Sequence, residues 1–227
     1  MLTPRRGCSL GFMAVALVVL VAAGCASAPP SSPKALSDYY GIAGLWIGTC
    51  NFGSGLQPCN IVIGQEGSFN ANSGATSLFG RATVAGGRAS FDAGTVGGDI
   101  AVYETSACRR QMVVKGSKGT ATGEVSQDGA PARLVSNLSE VAGRWAGTCD
   151  LGSGMVACTV TIGTDGSFAG TAGASSASGR VTVINGRAVF DTGGAAGDIV
   201  LHEGAGCQRQ IAVAGARGVA RGRLVAQ

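Results

Sequence analysis

After residue 40 the apolar positions recur in short runs with a period of two, separated by glycine-rich turns. The clearest run is Cys158-Thr-Val-Thr-Ile162, where every second residue is apolar. Side chains alternate across a strand, so this pattern describes a strand with one buried and one exposed face. Eight strands are predicted before residue 126. The first is Leu45–Cys50, with Trp46, Gly48 and Cys50 inward. The second is Cys59–Ile63, with Cys59, Ile61 and Ile63 inward. The third holds Phe69, after a Glu66-Gly67 turn. The fourth and fifth form a hairpin at Gly86-Gly87. The sixth is Asp99–Glu104, with Ile100, Val102 and Glu104 on one face. The seventh is Cys108–Lys115, with Cys108, Arg110, Met112 and Val114 on one face. The eighth is Gly119–Val125. A helical turn capped by Ser37 precedes the first.

The same pattern follows again at an offset of 99. Gly44-Leu-Trp46-Ile-Gly48-Thr-Cys50 becomes Gly143-Arg-Trp145-Ala-Gly147-Thr-Cys149, and these are the only two tryptophans. Phe69 falls on Phe168, Arg81 on Arg180, Cys108 on Cys207 and Arg110 on Arg209. This is an internal duplication. In the second copy Asn185-Gly186 is a type I′ hairpin signal matched by Gly86-Gly87. A two-residue loop sets Ile184 opposite Arg187, Arg180 opposite Asp191 and Arg81 opposite Asp92. The Arg–Asp couples are expected as surface ion pairs worth about 0.2–1 kcal/mol. Short connections between successive strands give an antiparallel meander, and an even strand count lets the eighth strand pair with the first. The expected fold is all-β, with two tandem homologous small antiparallel barrels of about eight strands each; a β-sandwich is the alternative. The units run over residues 37–127 and 136–227, with 128–135 as linker, and are expected to fold separately.

Composition agrees with strands and turns: 39 glycines and only 13% charged residues. The net charge is +4, and Arg5 and Arg6 supply two of it. A balance so near neutral argues against a nucleic-acid or polybasic membrane surface. Those arginines precede an apolar run, Leu10 to Val21, that is short for a membrane span and ends in Ala22-Ala23-Gly24-Cys25. The run and its cysteine resemble a bacterial lipobox, although Ala22 stands where leucine is usual. The resemblance implies a signal peptide over 1–24, lipid on Cys25, and a bacterial envelope protein. Ala26 in place of Asp implies outer-membrane sorting. Residues 25–36 carry three prolines among serines and alanines and read as a tether.

A helical turn, then Gly-x-Trp on the first strand, then an arginine on a late strand is similar to the lipocalin and calycin barrels. The resemblance implies that Trp46 closes a barrel floor against Arg110, and Trp145 against Arg209. Small bacterial metalloprotease inhibitors, also eight-stranded with a Gly-x-Trp strand, are similar in size and compartment. Alternation puts Glu104 beside Arg110 and Glu203 beside Arg209. Inward charges need partners, so each glutamate is expected to pair with its arginine.

Six cysteines remain after Cys8 and Cys25. An exported chain favours disulfides, and Cys-x8-Cys does not suit zinc. Cys50 and Cys59 flank one loop and can meet across it, as can Cys149 and Cys158. Cys108 then stays unpaired or joins Cys207; a bridge from Cys108 to Cys50 or Cys59 is the alternative.

No enzyme is expected. The single histidine, His202, falls on Tyr103, so no histidine site is duplicated, and no serine stands in a nucleophile motif. No metal or cofactor signature occurs. The expected function is a non-catalytic protein-binding or structural module, held to the membrane by its lipid anchor, with an envelope or secreted protein as partner. The exposed loops Asn51–Pro58 and Asp150–Ala157, with Phe52 and Leu151 as apolar candidates, would make the contact. An envelope protease inhibitor and a small-ligand (lipid) binding protein are the alternatives.

Overall fold

The computed structural model describes residues 32–150, 154–215 and 221–227. The leader, Cys25 and Leu151 lie outside the described residues.

Two closed eight-stranded antiparallel barrels follow one another along the chain. The first is built from β1 (Gly44–Asn51), β2 (Gln57–Ile63), β3 (Ser68–Ser73), β4 (Thr76–Ala85), β5 (Arg88–Asp92), β6 (Gly97–Ser106), β7 (Arg109–Lys118) and β8 (Thr122–Asp128). A two-residue strand, β9 (Ala132–Arg133), leads into the second. That barrel comprises β10 (Gly143–Asp150), β11 (Met155–Ile162), β12 (Ser167–Ala172), β13 (Ser175–Ile184), β14 (Arg187–Asp191), β15 (Ala196–His202), β16 (Gln210–Gly215) and β17 (Arg221–Ala226). Each is a meander whose last strand returns to its first: Gly48 faces Val125, and Gly147 faces Leu224.

Glycine makes these tight barrels possible at the closing seam. A Cβ on Gly48 would run into the Glu124 carbonyl and the Val125 Cα, and one on Gly147 into Arg223 and Leu224. At the hairpin tips Asn185 and Gly186 both take positive φ, 51° and 79°, as do Gly86 and Gly87. The register is Ile184 on Arg187, Arg180 on Asp191 and Arg81 on Asp92. The expected Arg–Asp ion pairs do not form. Arg81 and Arg180 donate instead to the carbonyls of Glu66 (2.8 Å) and Asp165 (3.1 Å) in the preceding turn. The carboxylates of Asp92 and Asp191 accept from the amides of Gly94 and Gly193. Local backbone bonds hold these side chains in place of the cross-strand pairs, and Asp92 also pairs with Lys118 at 3.5 Å.

Inside, Phe69 stacks on Phe91 at 4.7 Å and Phe168 on Phe190 at 5.7 Å. Helical turns at Tyr39–Gly41 and Leu138–Glu140 plug the floors. Their caps are Asp38 and Asn137, which accept from Tyr40 N and Ser139 N. Trp46 and Trp145 are fully buried, and their indole N–H groups donate to Ile42 O (2.8 Å) and Val141 O (2.9 Å).

The segment expected as a linker is part of the second barrel's wall. Ala132 and Arg133 pair with His202 and Leu201, and Val135 is fully buried. Upstream of the first barrel, within the stretch read as tether, Lys34 N bonds Val102 O (2.8 Å) and Leu36 bridges Gly87. Each repeat therefore begins a few residues before 37 and 136, with a strap laid across its fifth and sixth strands.

A third apolar cluster joins the barrels. Leu45, Val62 and Ala43 of the first pack on Val200, Ala212 and Ala214 of the second, with Ala132.

Candidate functional site

The floors come first. The Arg110 guanidinium lies 4.9 Å over the Trp46 ring and is 2% exposed. It donates to Gly41 O (2.8 Å) and to the side-chain oxygen of Gln127. Burial pushes its pKa down to about 10, and the nearby Glu104 charge works against that shift. Glu104 does not bond Arg110. It lies near the end of β6, just before a register shift, is exposed, and pairs with Lys34. The lysine comes from the strap, which composition alone does not show as structured. In the second floor Arg209 lies 5.2 Å over Trp145 and donates to Glu140 O. Here the expected couple is present: Arg209 Nε is 3.4 Å from Glu203, which Arg133 shares. Each arginine is packed on its tryptophan and bonded to the helical turn's backbone, which holds each floor shut.

The seam between the barrels is polar at one edge. Asp198, almost fully buried, binds Arg187 at 2.6 Å and accepts from Gln65 N at 3.1 Å. Arg187 also binds Glu66 at 2.5 Å. Burial, with the Glu66 carboxylate beside it, pushes Asp198 up to about 7. His202 is buried at the same seam, with Nδ1 3.0 Å from Ala130 O. Burial, with Arg110 nearby, drives it down to about 3, so it is neutral and donates from Nδ1. Asp198 and His202 carry out no triad geometry; they are interface groups. Cys108 and Cys207, each in the turn after its sixth strand, form a disulfide across the two barrels.

The opposite ends are the mouths. Disulfides Cys50–Cys59 and Cys149–Cys158 close the loops there. Phe52, expected at the surface, folds inward and joins the first core, because an apolar ring at the mouth of a small barrel gains more inside than out. Among the described residues of these loops and the strands that follow, Leu56, at 70%, and Met155, at 40%, are exposed, and they occupy matched positions 99 apart. Sequence reasoning missed them. The signal available was that both repeats place a large aliphatic residue just ahead of the second cysteine.

The two interiors differ. The second barrel holds an apolar cavity of about 60 Å³, lined by Val160, Phe168, Gly170, Ala177, Phe190 and Ala195 among others. In the first barrel the matched residues include Ile61, Ala71, Leu78 and Val96, each larger than its counterpart, and all four pack in its core. At the rim of the cavity Arg221 pairs with Asp150 across β17 and β10. Both are largely buried, with the arginine side chain 13% exposed. The first barrel has Thr122 and Asn51 there, with no charge. The expectation of a filled core does not hold for the second barrel, where smaller residues leave this cavity.

No family model matches the chain, and no curated protein does. Among solved structures the chain is matched by a protein of unknown function from the DUF3598 family of Nostoc punctiforme, with 12% identity and a TM-score of 0.31 over 82% of this chain and 95% of that one.

Proposed function

We propose that this is a lipid-anchored envelope protein whose barrels act as a non-catalytic binding module, engaging a protein partner through their mouths. One observation carries the reading. Beside the disulfide at each mouth a large aliphatic side chain stands exposed, Leu56 just ahead of β2 and Met155 at the start of β11, at matched positions of the two repeats. A side chain carried next to a disulfide-tied strand loses little freedom on binding, and exposed apolar side chains then contribute to affinity. An inhibitor of envelope proteases is one form such a module could take. The second reading, a small-ligand carrier, rests on the cavity of the second barrel.

The test uses a photo-crosslinking residue at position 56 or 155, and at Phe79 on the barrel wall as control, since Phe79 is also exposed. Irradiated cells should give one discrete adduct from the two mouth positions and none from position 79. Equal labelling from all three positions would remove the proposal. Anchoring is tested separately: intact mass of the processed chain should begin at Cys25 and carry acyl mass, and a chain starting after Cys25 would contradict it.

A further inference from the structure

The second barrel differs from the first in two independent ways at one place. Its bore is emptied by smaller residues, and its rim gains a buried arginine–aspartate pair. We propose that this mouth recognises a polypeptide segment by one aliphatic side chain, of valine or leucine size, inserted into the bore, with the adjacent backbone carbonyl accepting a hydrogen bond from Arg221. The proposal rests on the reading of the mouths as contact surfaces and names what the second one takes.

Three features select this chemistry. The cavity of about 60 Å³ has room for water, but its wall is apolar and offers few partners, so an aliphatic group is the better occupant. A lipid tail is far longer than the space; a branched side chain suits it. The rim then sets the polar end. Arg221 spends an Nη on Asp150, while its Nε finds no acceptor among the described residues. A single N–H beside an already neutralised pair favours a neutral acceptor. A carboxylate there would meet the Asp150 charge, and an ammonium would meet the arginine. A peptide carbonyl beside an aliphatic side chain supplies both halves. Met155 stands exposed on the strand that carries Cys158 and offers further apolar surface to the same segment.

The probe is N-acetyl-leucinamide, titrated into the isotope-labelled mature protein with its disulfides intact and followed by NMR. It should shift Val160, Val213 and Arg221, leave the first barrel's core signals in place, and bind with a Kd on the order of 1 mM. N-acetylglycinamide, which lacks the side chain, should shift none of them. Ala177→Leu restores the residue that the first barrel carries at the matched position, so it should fold and should weaken binding at least tenfold. The double change Asp150→Asn with Arg221→Thr restores the first barrel's rim and should weaken it at least threefold. 4-Methylpentanoate, with the same tail on a carboxylate, should bind at least tenfold more weakly than the amide. The inference is overturned if the leucinamide leaves the second barrel unmoved, if Ala177→Leu binds as well as wild type, or if the carboxylate binds equally. A crosslinking failure at the mouths alongside normal leucinamide binding would sink the partner reading and leave the pocket standing.

Discussion

Removing the side chain of Gln127 should unsettle the first barrel more than removing the charge of Glu104, although Glu104 is the carboxylate that stands opposite Arg110 in the sheet. Arg110 is buried against Trp46 and has two acceptors, Gly41 O and Gln127. Gln127 also donates to Leu45 O at 3.2 Å, so it ties β8 to both β1 and the arginine. A hydrogen bond to a charged group contributes about 1.5–3 kcal/mol. Gln127→Leu should cost about that. Arg110→Met should cost up to about 2 kcal/mol more, through loss of the desolvated contact with the indole. The two changes act on one bond, so the double variant should be less destabilised than the sum by about 1–3 kcal/mol. Glu104→Gln breaks only an exposed pair with Lys34, worth about 1 kcal/mol at most, and should add to Arg110→Met within about 0.5 kcal/mol. Urea unfolding of the oxidised mature chain, followed by circular dichroism, measures all of these. Additive effects for Arg110 and Gln127, or strong coupling between Arg110 and Glu104, would refute the assignment of the floor contacts.

Two further outcomes follow from the seam and the straps. Asp198 is raised from its usual 3.8 to about 7, so the folded chain holds a proton there that the unfolded chain has lost. Stability from this group is full below about pH 4 and is lost as pH rises towards about 7. The charged groups around it are Glu66 and Arg187, with Tyr40 nearby and raised by burial, so it stays neutral in this range. Glu66 is lowered, so its own effect falls below its usual 4.5. The urea midpoint should therefore fall between pH 5 and 7.5, and Asp198→Asn should flatten that slope; an unchanged slope contradicts the cluster. A fragment of residues 130–227 should melt higher than one of residues 136–227, because only the longer one keeps β9 and Val135; equal melting temperatures would mean that the strap adds nothing.

The repeats, the hairpin tips and the inward positions were legible because each rests on local chemistry: an Asn-Gly tip, a period of two, a matched tryptophan. The straps were not, since two residues after a proline-rich stretch carry no periodicity. That omission hid Lys34 and Arg133, and with them the partners of Glu104 and Glu203. The barrel-to-barrel face left a trace that alternation alone passes over. Leu45 and Val62 point outward and are apolar, whereas Arg144 and Thr161 hold the matched positions in the second repeat. Strands apolar on both faces are covered on both faces. Phe52 lies in a loop and is buried all the same, because loop position does not fix exposure. The cavity was also readable in principle, since Leu78 against Ala177 and Val96 against Ala195 are visible by alignment. It needed the barrel to show that these side chains meet.

The claim that the duplicated barrels have diverged into one filled and one hollow interior is tested most directly by xenon. Dry apolar cavities take up xenon under modest pressure. Crystals of the mature protein pressurised with the gas should show one strong site between Val160 and Phe190 in the second barrel, none at the matched place between Ile61 and Phe91, and loss of the site in Ala177→Leu. Xenon in both barrels, or in neither, would contradict the account.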